Sequence, residues 1–235
     1  MIIGLTGAAG SGKDTIADIL FRSGQRAEID RAFISETDKS LIRDWRRIAF
    51  ADALYQEASE AFEVDVEDLR CRARKETPTS SLSMTGCTDR VFVEVVRAIE
   101  WNHFDWFAPY SPRQILQWWG TDYRRAQRED YWLSKVRDRI ASVPDNHWVV
   151  TDIRFQNEAN LVRELGGCLV VVHRPAIYPV TEHVSEAFWR TCKADWQIEN
   201  NGTLNDLIYA AYDLVIQIEN SRLPESRTNN AAEHP

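Results

Sequence analysis

Lys13 closes a run of residues built to hold an anion. Residues 7–15 read Gly-Ala-Ala-Gly-Ser-Gly-Lys-Asp-Thr. Glycines at 7, 10 and 12 let the backbone curl so that successive N–H groups point inward. Lys13 adds a full positive charge at the end of that curl, enough to reach the β- and γ-phosphates of a nucleotide. The hydroxyl residue that usually follows the lysine and binds Mg²⁺ is replaced by Asp14, with Thr15 after it. A carboxylate suits a hard cation directly or through water, so Asp14 is a candidate metal contact. The elements needed to position this loop flank it. Ile2, Ile3 and Leu5 form a short apolar run that predicts a buried strand, and Ile16, Ala17, Ile19 and Leu20 recur at helical spacing. Strand, glycine loop, lysine and helix make up a P-loop, whose helix start contributes unpaired N–H donors and the positive end of a dipole.

Other residues could complete a phosphate chemistry. The run His147-Trp148-Val149-Val150-Thr151-Asp152-Ile153-Arg154 is an apolar strand ending in charge. Its near-continuous apolar stretch suits a central parallel strand covered on both faces. Asp152 then falls where a P-loop fold puts a carboxylate near metal and phosphate, directly or through water, and Arg154 lies just beyond. Asp52 sits at a second strand-to-helix junction, after Arg46-Arg47-Ile48-Ala49-Phe50, and such junctions face ligand in an open parallel sheet. Arg70, Arg72, Arg74 and Lys75 cluster before the breaker Thr77-Pro78-Thr79-Ser80-Ser81, which predicts a basic loop. Ser111-Pro112 is a good helix start. Behind it Gln114, Gln117, Thr121 and Arg124 fall at i, i+3, i+7 and i+10, one stripe on an unbroken helix. Amides and a guanidinium there suit a base edge and a phosphate; a plain wet face is the alternative.

Composition narrows the field. The 235 residues predict one domain, with a hydrophobic share of 44 % and nine Trp to fill its core. A net charge of −8 disfavours broad nucleic-acid or membrane-surface binding, though not a local cluster for an anionic substrate. Cys71, Cys87, Cys168 and Cys192 lack metal-ligand spacing and read as free thiols in a reducing compartment. No basic, apolar leader precedes the loop and no run approaches a bilayer span, so a soluble cytoplasmic protein is expected.

Strands and helices alternate through the rest of the chain. Residues 24–45 read as a polar excursion with weak helical character near its end. A helix is predicted from about residue 51, another over 91–107, and others from 112, over 129–142 and over 157–165, the last stopped by Gly166-Gly167. Residues 168–172 and 196–199 are further strands. Between them lies a Pro-rich charged loop with His183, Ser185 and Glu186. A helix from about residue 203 is expected to bury Leu204, Leu207, Ile208, Ala211, Val215 and Ile218. The order predicts an α/β fold with a central parallel sheet. The organisation expected is a single P-loop domain over residues 1–220, with a helical substrate or lid region at about 65–145 and a frayed tail at 221–235.

Taken together, the motifs resemble one family. They are the P-loop, Phe50-Ala51-Asp52, Lys75-Glu76, Ser111-Pro112-Arg113-Gln114-x-Leu116-Gln117-x-x-Gly120-Thr121-Asp122, Thr151-Asp152-Ile153-Arg154-Phe155-x-Asn157-Glu158-Ala159 and Asp195-x-x-Ile198-x-Asn200-x-Gly202. This set looks like phage deoxynucleoside monophosphate kinases over roughly residues 1–215. Ala53 and Tyr55 depart from a frequent proline and lysine.

The resemblance implies a three-layer P-loop fold and transfer of the γ-phosphoryl of ATP, with Mg²⁺, to a deoxynucleoside monophosphate in the cytoplasm of a host cell. It implies that Gly7, Ala8, Ala9, Gly10, Ser11, Gly12, Lys13, Asp14 and Thr15 hold the ATP phosphates, with Asn201 and Gly202 near the donor adenine. Asp52, Lys75, Gln114, Gln117, Thr121, Arg124 and Arg154 become the acceptor contacts. Lys13, Arg124, Asp152 and Arg154 become the catalytic set, and Asp14 and Asp152 the metal contacts. Its partners are then ATP and the monophosphate, without polymeric nucleic acid or membrane, and a homodimer is allowed. Two other readings compete: a kinase of another small phosphorylated acceptor, of the dephospho-coenzyme A or phosphomevalonate type, and a nucleotide-binding switch that transfers nothing.

Overall fold

The computed structural model describes residues 1–30, 44–175 and 184–222. Five strands form one sheet: β1 (Ile2–Thr6), β2 (Trp45–Ala49), β3 (His147–Thr151), β4 (Cys168–His173) and β5 (Trp196–Glu199), in the order β2-β3-β1-β4-β5. β1 pairs in parallel with both β3 and β4, and β4 with β5. A parallel sheet of this kind needs cover on both faces. Alternation along β1 shows how it is covered. Ile3 and Leu5 point into a core with Ile16, Ala17 and Leu20 of the helix Lys13–Asp30 and with Leu207, Ala211, Val215 and Ile218 of the helix Leu204–Ser221. Gly4, between them, faces the other way, where an added Cβ would meet Ile153 at 2.4 Å and Val162 at 3.2 Å. Val162 belongs to the helix Gln156–Glu164, so helices lie on both sides of the sheet.

The chain divides into two compact units, Met1–Arg47 with Asp145–Pro235, and Ile48–Pro144. The first carries most of the sheet. The second is helical: Asp52–Phe62, Val66–Arg70, Arg90–Glu100, Pro112–Gln117 and Tyr131–Ala141 pack around Phe62, Phe92, Trp119, Tyr123 and Trp132. Phe92 makes ring contacts with Phe62, Trp119 and Tyr123 at centroid distances of 6.1, 4.5 and 5.7 Å. Ser111 caps its helix through a capping box with Gln114, with Pro112 in the first turn, as its sequence predicts.

Several boundaries differ from expectation. The first helix continues to Asp30, past the residue 24 where an irregular excursion was expected, and residues 31–43 lie outside the described residues. The predicted helix over 91–107 stops at Glu100, because Trp101 turns to φ +44 and a 3₁₀ turn follows. Leu204, expected to be inward, is exposed: it is the first residue after the Thr203 cap, before the apolar stripe begins. Ser185 and Glu186 belong to a helix, Val184–Thr191, while His183 and the tail beyond residue 222 lie outside the described residues. All four cysteines are free thiols.

Candidate active site

The P-loop sits at the carboxyl end of β1, where a parallel sheet presents its ligand side. Gly7 has φ +151, and a Cβ there would fall 2.4 Å from the Val172 carbonyl and 2.8 Å from Ser11 Oγ, so only glycine fits. Gly12 has φ +108, and its missing Cβ leaves room for the Asn200 amide, which donates to the Ser11 carbonyl at 2.8 Å. Lys13 is buried and donates to the carbonyls of Gly7 and Ala8, each at 2.8 Å. The Ser11 hydroxyl is fully buried and finds no hydrogen-bond partner among the described residues. A buried orphan hydroxyl and a cation resting on its own loop's carbonyls fit a bound phosphate, which would accept from both. Arg174, just after β4, reaches the Gly10 carbonyl at 3.4 Å.

The end of β3 supplies the second half of this site. Asp152 is a non-glycine residue at φ +60, a conformation that persists only when its surroundings dictate it. They do. Ile153 N donates to the Leu5 carbonyl at 3.0 Å, and the Thr6 hydroxyl donates to the Ile153 carbonyl at 2.8 Å. Glu158, only 3 % exposed, accepts from the backbone N–H groups of Arg154 and Phe155. In this corner the Asp152 carboxylate stands 3.9 Å from Lys13 Nζ and takes Arg154 in a forked pair, Nε at 2.7 Å and Nη2 at 2.6 Å. Thr6, Gly7, Ala9, Asp152, Ile153, Arg154 and Trp189 line one small recess. Lys13, Asp152 and Arg154 are thus brought together with the P-loop.

Asp14 is elsewhere engaged. Its exposed carboxylate pairs with Arg47, which also bonds Asp18 at 2.9 Å. No group of three or more His, Cys, Asp or Glu able to hold a metal occurs among the described residues. Mg²⁺ bound with nucleotide phosphates takes only one or two carboxylates and keeps its waters, and Asp152 fits that role. Asn201 and Gly202 are exposed in the turn after β5; Asn200, beside them, makes the contact to the loop.

The second unit holds the remaining candidates. Asp52 locks the corner after β2, accepting from Ala49 N at 2.7 Å and from Arg70 at 2.7 Å. The Arg70 guanidinium lies 5.0 Å from the Tyr55 ring centre, and Lys75 donates to the Tyr55 hydroxyl at 3.0 Å. Asp52, Tyr55, Arg70 and Lys75 therefore form one cluster, with Arg70 and Lys75 both set against the Tyr55 ring. Gln114, Gln117 and Thr121 are exposed, whereas Arg124 is partly buried against Glu57. The four do not form one uniform stripe, because the helix changes from α to π at Trp118, and Trp118–Arg125 no longer advances at the α period. Gln114 Oε1 is spent on its capping box with Ser111.

Comparison with known proteins now decides the family. Residues 59–210 match the family model described as deoxynucleotide monophosphate kinase. The chain belongs to the deoxynucleotide monophosphate kinase family. It is an enzyme, a phosphotransferase. It is 30 % identical over 221 residues to an Acanthamoeba polyphaga mimivirus protein provisionally named as a deoxynucleotide monophosphate kinase, covering 88 % of this chain and 91 % of that one. It is 31 % identical over 193 residues to the deoxynucleoside-5'-monophosphate kinase of Escherichia phage T5, covering 70 % and 72 %. No helix among the described residues is long and apolar enough to cross a membrane.

Sequence reasoning gave no role to Asn200, Glu57 or Arg47, and put Arg70 in a basic loop where it instead ends the helix Val66–Arg70. Asn200 lay inside a quoted motif and was legible there. The other three act through partners distant in sequence.

Proposed function

We propose that this kinase transfers the γ-phosphoryl group of ATP to a deoxynucleoside monophosphate, giving the diphosphate and ADP. One observation carries the reading: in a chain of this family, Asp152 and Arg154 line one recess with Gly7 and Ala9 of the P-loop, and Lys13 stands 3.9 Å from that Asp152 carboxylate. Phosphoryl transfer asks for alignment and charge neutralisation rather than covalent help. Residues 7–15 hold the ATP phosphates through backbone N–H groups, and Asn201 and Gly202 border the donor base. Lys13 and Arg154 neutralise charge spread over the transferred group. Arg124, in the second unit, is the further catalytic cation of this reading. Asp152 holds Arg154 in place and is the residue suited to Mg²⁺; Asp14, the other candidate carboxylate, is engaged by Arg47. When bound, Mg²⁺ supplies charge neutralisation on the phosphate oxygens.

On the acceptor side, Lys75 contributes charge and Asp52 fixes the corner that carries it. Arg70 supplies the cation that Tyr55 does not. Gln114, Gln117 and Thr121 offer exposed polar groups to sugar and base edges. A panel assay tests the reading: ATP with each of four deoxynucleoside monophosphates, dephospho-coenzyme A and phosphomevalonate, with ADP release measured. Turnover on at least one deoxynucleotide and none on the other two acceptors is expected. ADP release only with a non-nucleotide acceptor overturns it.

A further inference from the structure

In the second unit, donors from two further segments converge on a single carboxylate. Glu57, on the helix Asp52–Phe62, accepts at one oxygen from Trp119 Nε1 at 3.1 Å and Arg124 Nε at 2.8 Å. Its other oxygen accepts from the Tyr131 hydroxyl at 2.6 Å and lies 3.2 Å from Lys135 Nζ. The side chain is 15 % exposed. Burial pushes its carboxyl up, yet the hydrogen bonds from Tyr131, Trp119, Arg124 and Lys135 outweigh burial and hold it below its ordinary value. A carboxylate so withdrawn from water persists only when paired and fully hydrogen-bonded.

Its partners are not arbitrary. Trp119 and Arg124 both belong to the π-helix Trp118–Arg125, and π turns survive where neighbours hold them, frequently at functional sites. The Arg124 guanidinium is also stacked near three rings, 4.3 Å from Tyr123, 5.2 Å from Tyr131 and 5.5 Å from Trp119. Glu57 takes the Nε side of that guanidinium. Asp89 makes a longer ion pair with Nη2, at 3.9 Å, while its carboxylate accepts hydrogen bonds from the Tyr123 hydroxyl and from Phe92 N. A guanidinium held at Nε and set among three rings has few directions open to its terminal nitrogens. Such restriction is what a cation needs if it is to meet an anion without loss of rotamer freedom on binding.

We infer that Glu57 is a positioning residue for the acceptor: it clamps the π-helix and aims Arg124 at the acceptor's anionic group. The inference rests on the kinase reading above, in which Arg124 meets the substrate. It does not make Glu57 a catalytic residue, since Glu57 acts through Arg124.

A double-mutant cycle tests it, using Glu57→Gln, Arg124→Lys and both together, with KM for the deoxynucleotide and for ATP measured separately. Glu57→Gln keeps the volume and removes the charge. The expected result is a rise of about tenfold in KM for the deoxynucleotide, with KM for ATP changed less than twofold. The double variant should lose no more than the worse single variant, since both remove one coupled element. Should Glu57→Gln fail to fold, Tyr131→Phe removes one donor while keeping the ring, and a rise of about threefold in the same KM is expected. An unchanged deoxynucleotide KM in the folded variant, with only a lowered Tm, overturns the inference, and so do strictly additive losses. If the native enzyme consumes no deoxynucleotide at all, the kinase reading itself falls and takes the inference with it; turnover with unchanged KM removes the inference alone.

Discussion

Replacing Asp152 by glycine separates stability from activity. Asp152 adopts φ +60, which costs an L-residue roughly 1–2 kcal/mol that glycine does not incur. Its carboxylate pairs with Arg154, but both side chains are about 40 % exposed, at 40 % and 41 %. Exposed pairs contribute about 0–1 kcal/mol after solvent screening. Glycine also loosens the unfolded chain by about 0.4–1 kcal/mol. These terms nearly cancel, so Asp152→Gly should melt within about 2–4 °C of the native protein, the shift that ~1 kcal/mol produces at this size. Asp152→Ala keeps the backbone penalty and loses the ion pair, so it should melt about 2–4 °C below the glycine variant. Both should lose kinase rate on the order of 10²-fold, the scale of one preorganised group at a site of developing charge. Calorimetric melts and initial rates at saturating substrates measure the two effects together. A glycine variant that melts far below the alanine variant would show that Asp152 is structural and its backbone unstrained. Near-native rates in either would remove its carboxylate from the site.

Further outcomes follow from other contacts. Asn200→Ala removes the amide that holds the Ser11 carbonyl at 2.8 Å; KM for ATP should rise about threefold to tenfold while the melting temperature stays near native, which a nucleotide titration by calorimetry checks. Gly12→Ala would put a Cβ 2.6 Å from that same amide at φ +108, so nucleotide binding should be lost more completely than in Asn200→Ala; equal affinities would contradict the packing. Cys71 has its thiol pKa lowered, chiefly by a hydrogen bond from Arg74, while burial pushes Cys87 and Cys168 up to about 11. At neutral pH Cys71 should be alkylated first, and peptide mass mapping after brief iodoacetamide treatment would show it. Glu57 is held below its ordinary value, so its contribution to stability is present above pH 4.5 and is lost as pH falls through the lowered folded value. Acid melting profiles of Glu57→Gln should therefore be flatter below pH 4.5 than those of the native enzyme.

Much of this molecule was written in local patterns. The P-loop, the parallel strands and the Asp152 corner were legible because each is a short run whose spacing alone requires it. Three glycines before a lysine specify an anion cradle, and an apolar run ending in Asp-x-Arg specifies a buried strand with charge at its tip. The π-helix was not legible. A stripe drawn at the α period assumes one angle per residue, and nothing local to Trp118–Arg125 announces that the helix widens there. Glu57 was invisible for a related reason, since Trp119, Arg124, Tyr131 and Lys135 come to it from 62 or more positions along the chain. Asp14 shows the same limit beside the P-loop: its type suited a metal, but its partner Arg47, far off in sequence, was not foreseeable from the loop. The division at residues 47–48 and 144–145 was also only partly marked, since composition shifts near residue 65 rather than at the start of the helical unit.

The most direct measurement follows the phosphoryl group itself. ATP labelled at the γ-phosphate, mixed with enzyme and one deoxynucleoside monophosphate and then quenched at intervals, should lose label to the deoxynucleoside diphosphate at equal rates of loss and gain. Lys13→Ala should abolish that transfer while its fold, followed by circular dichroism, stays intact. Label that passes to inorganic phosphate alone, or remains on ATP in the native enzyme, would contradict the account.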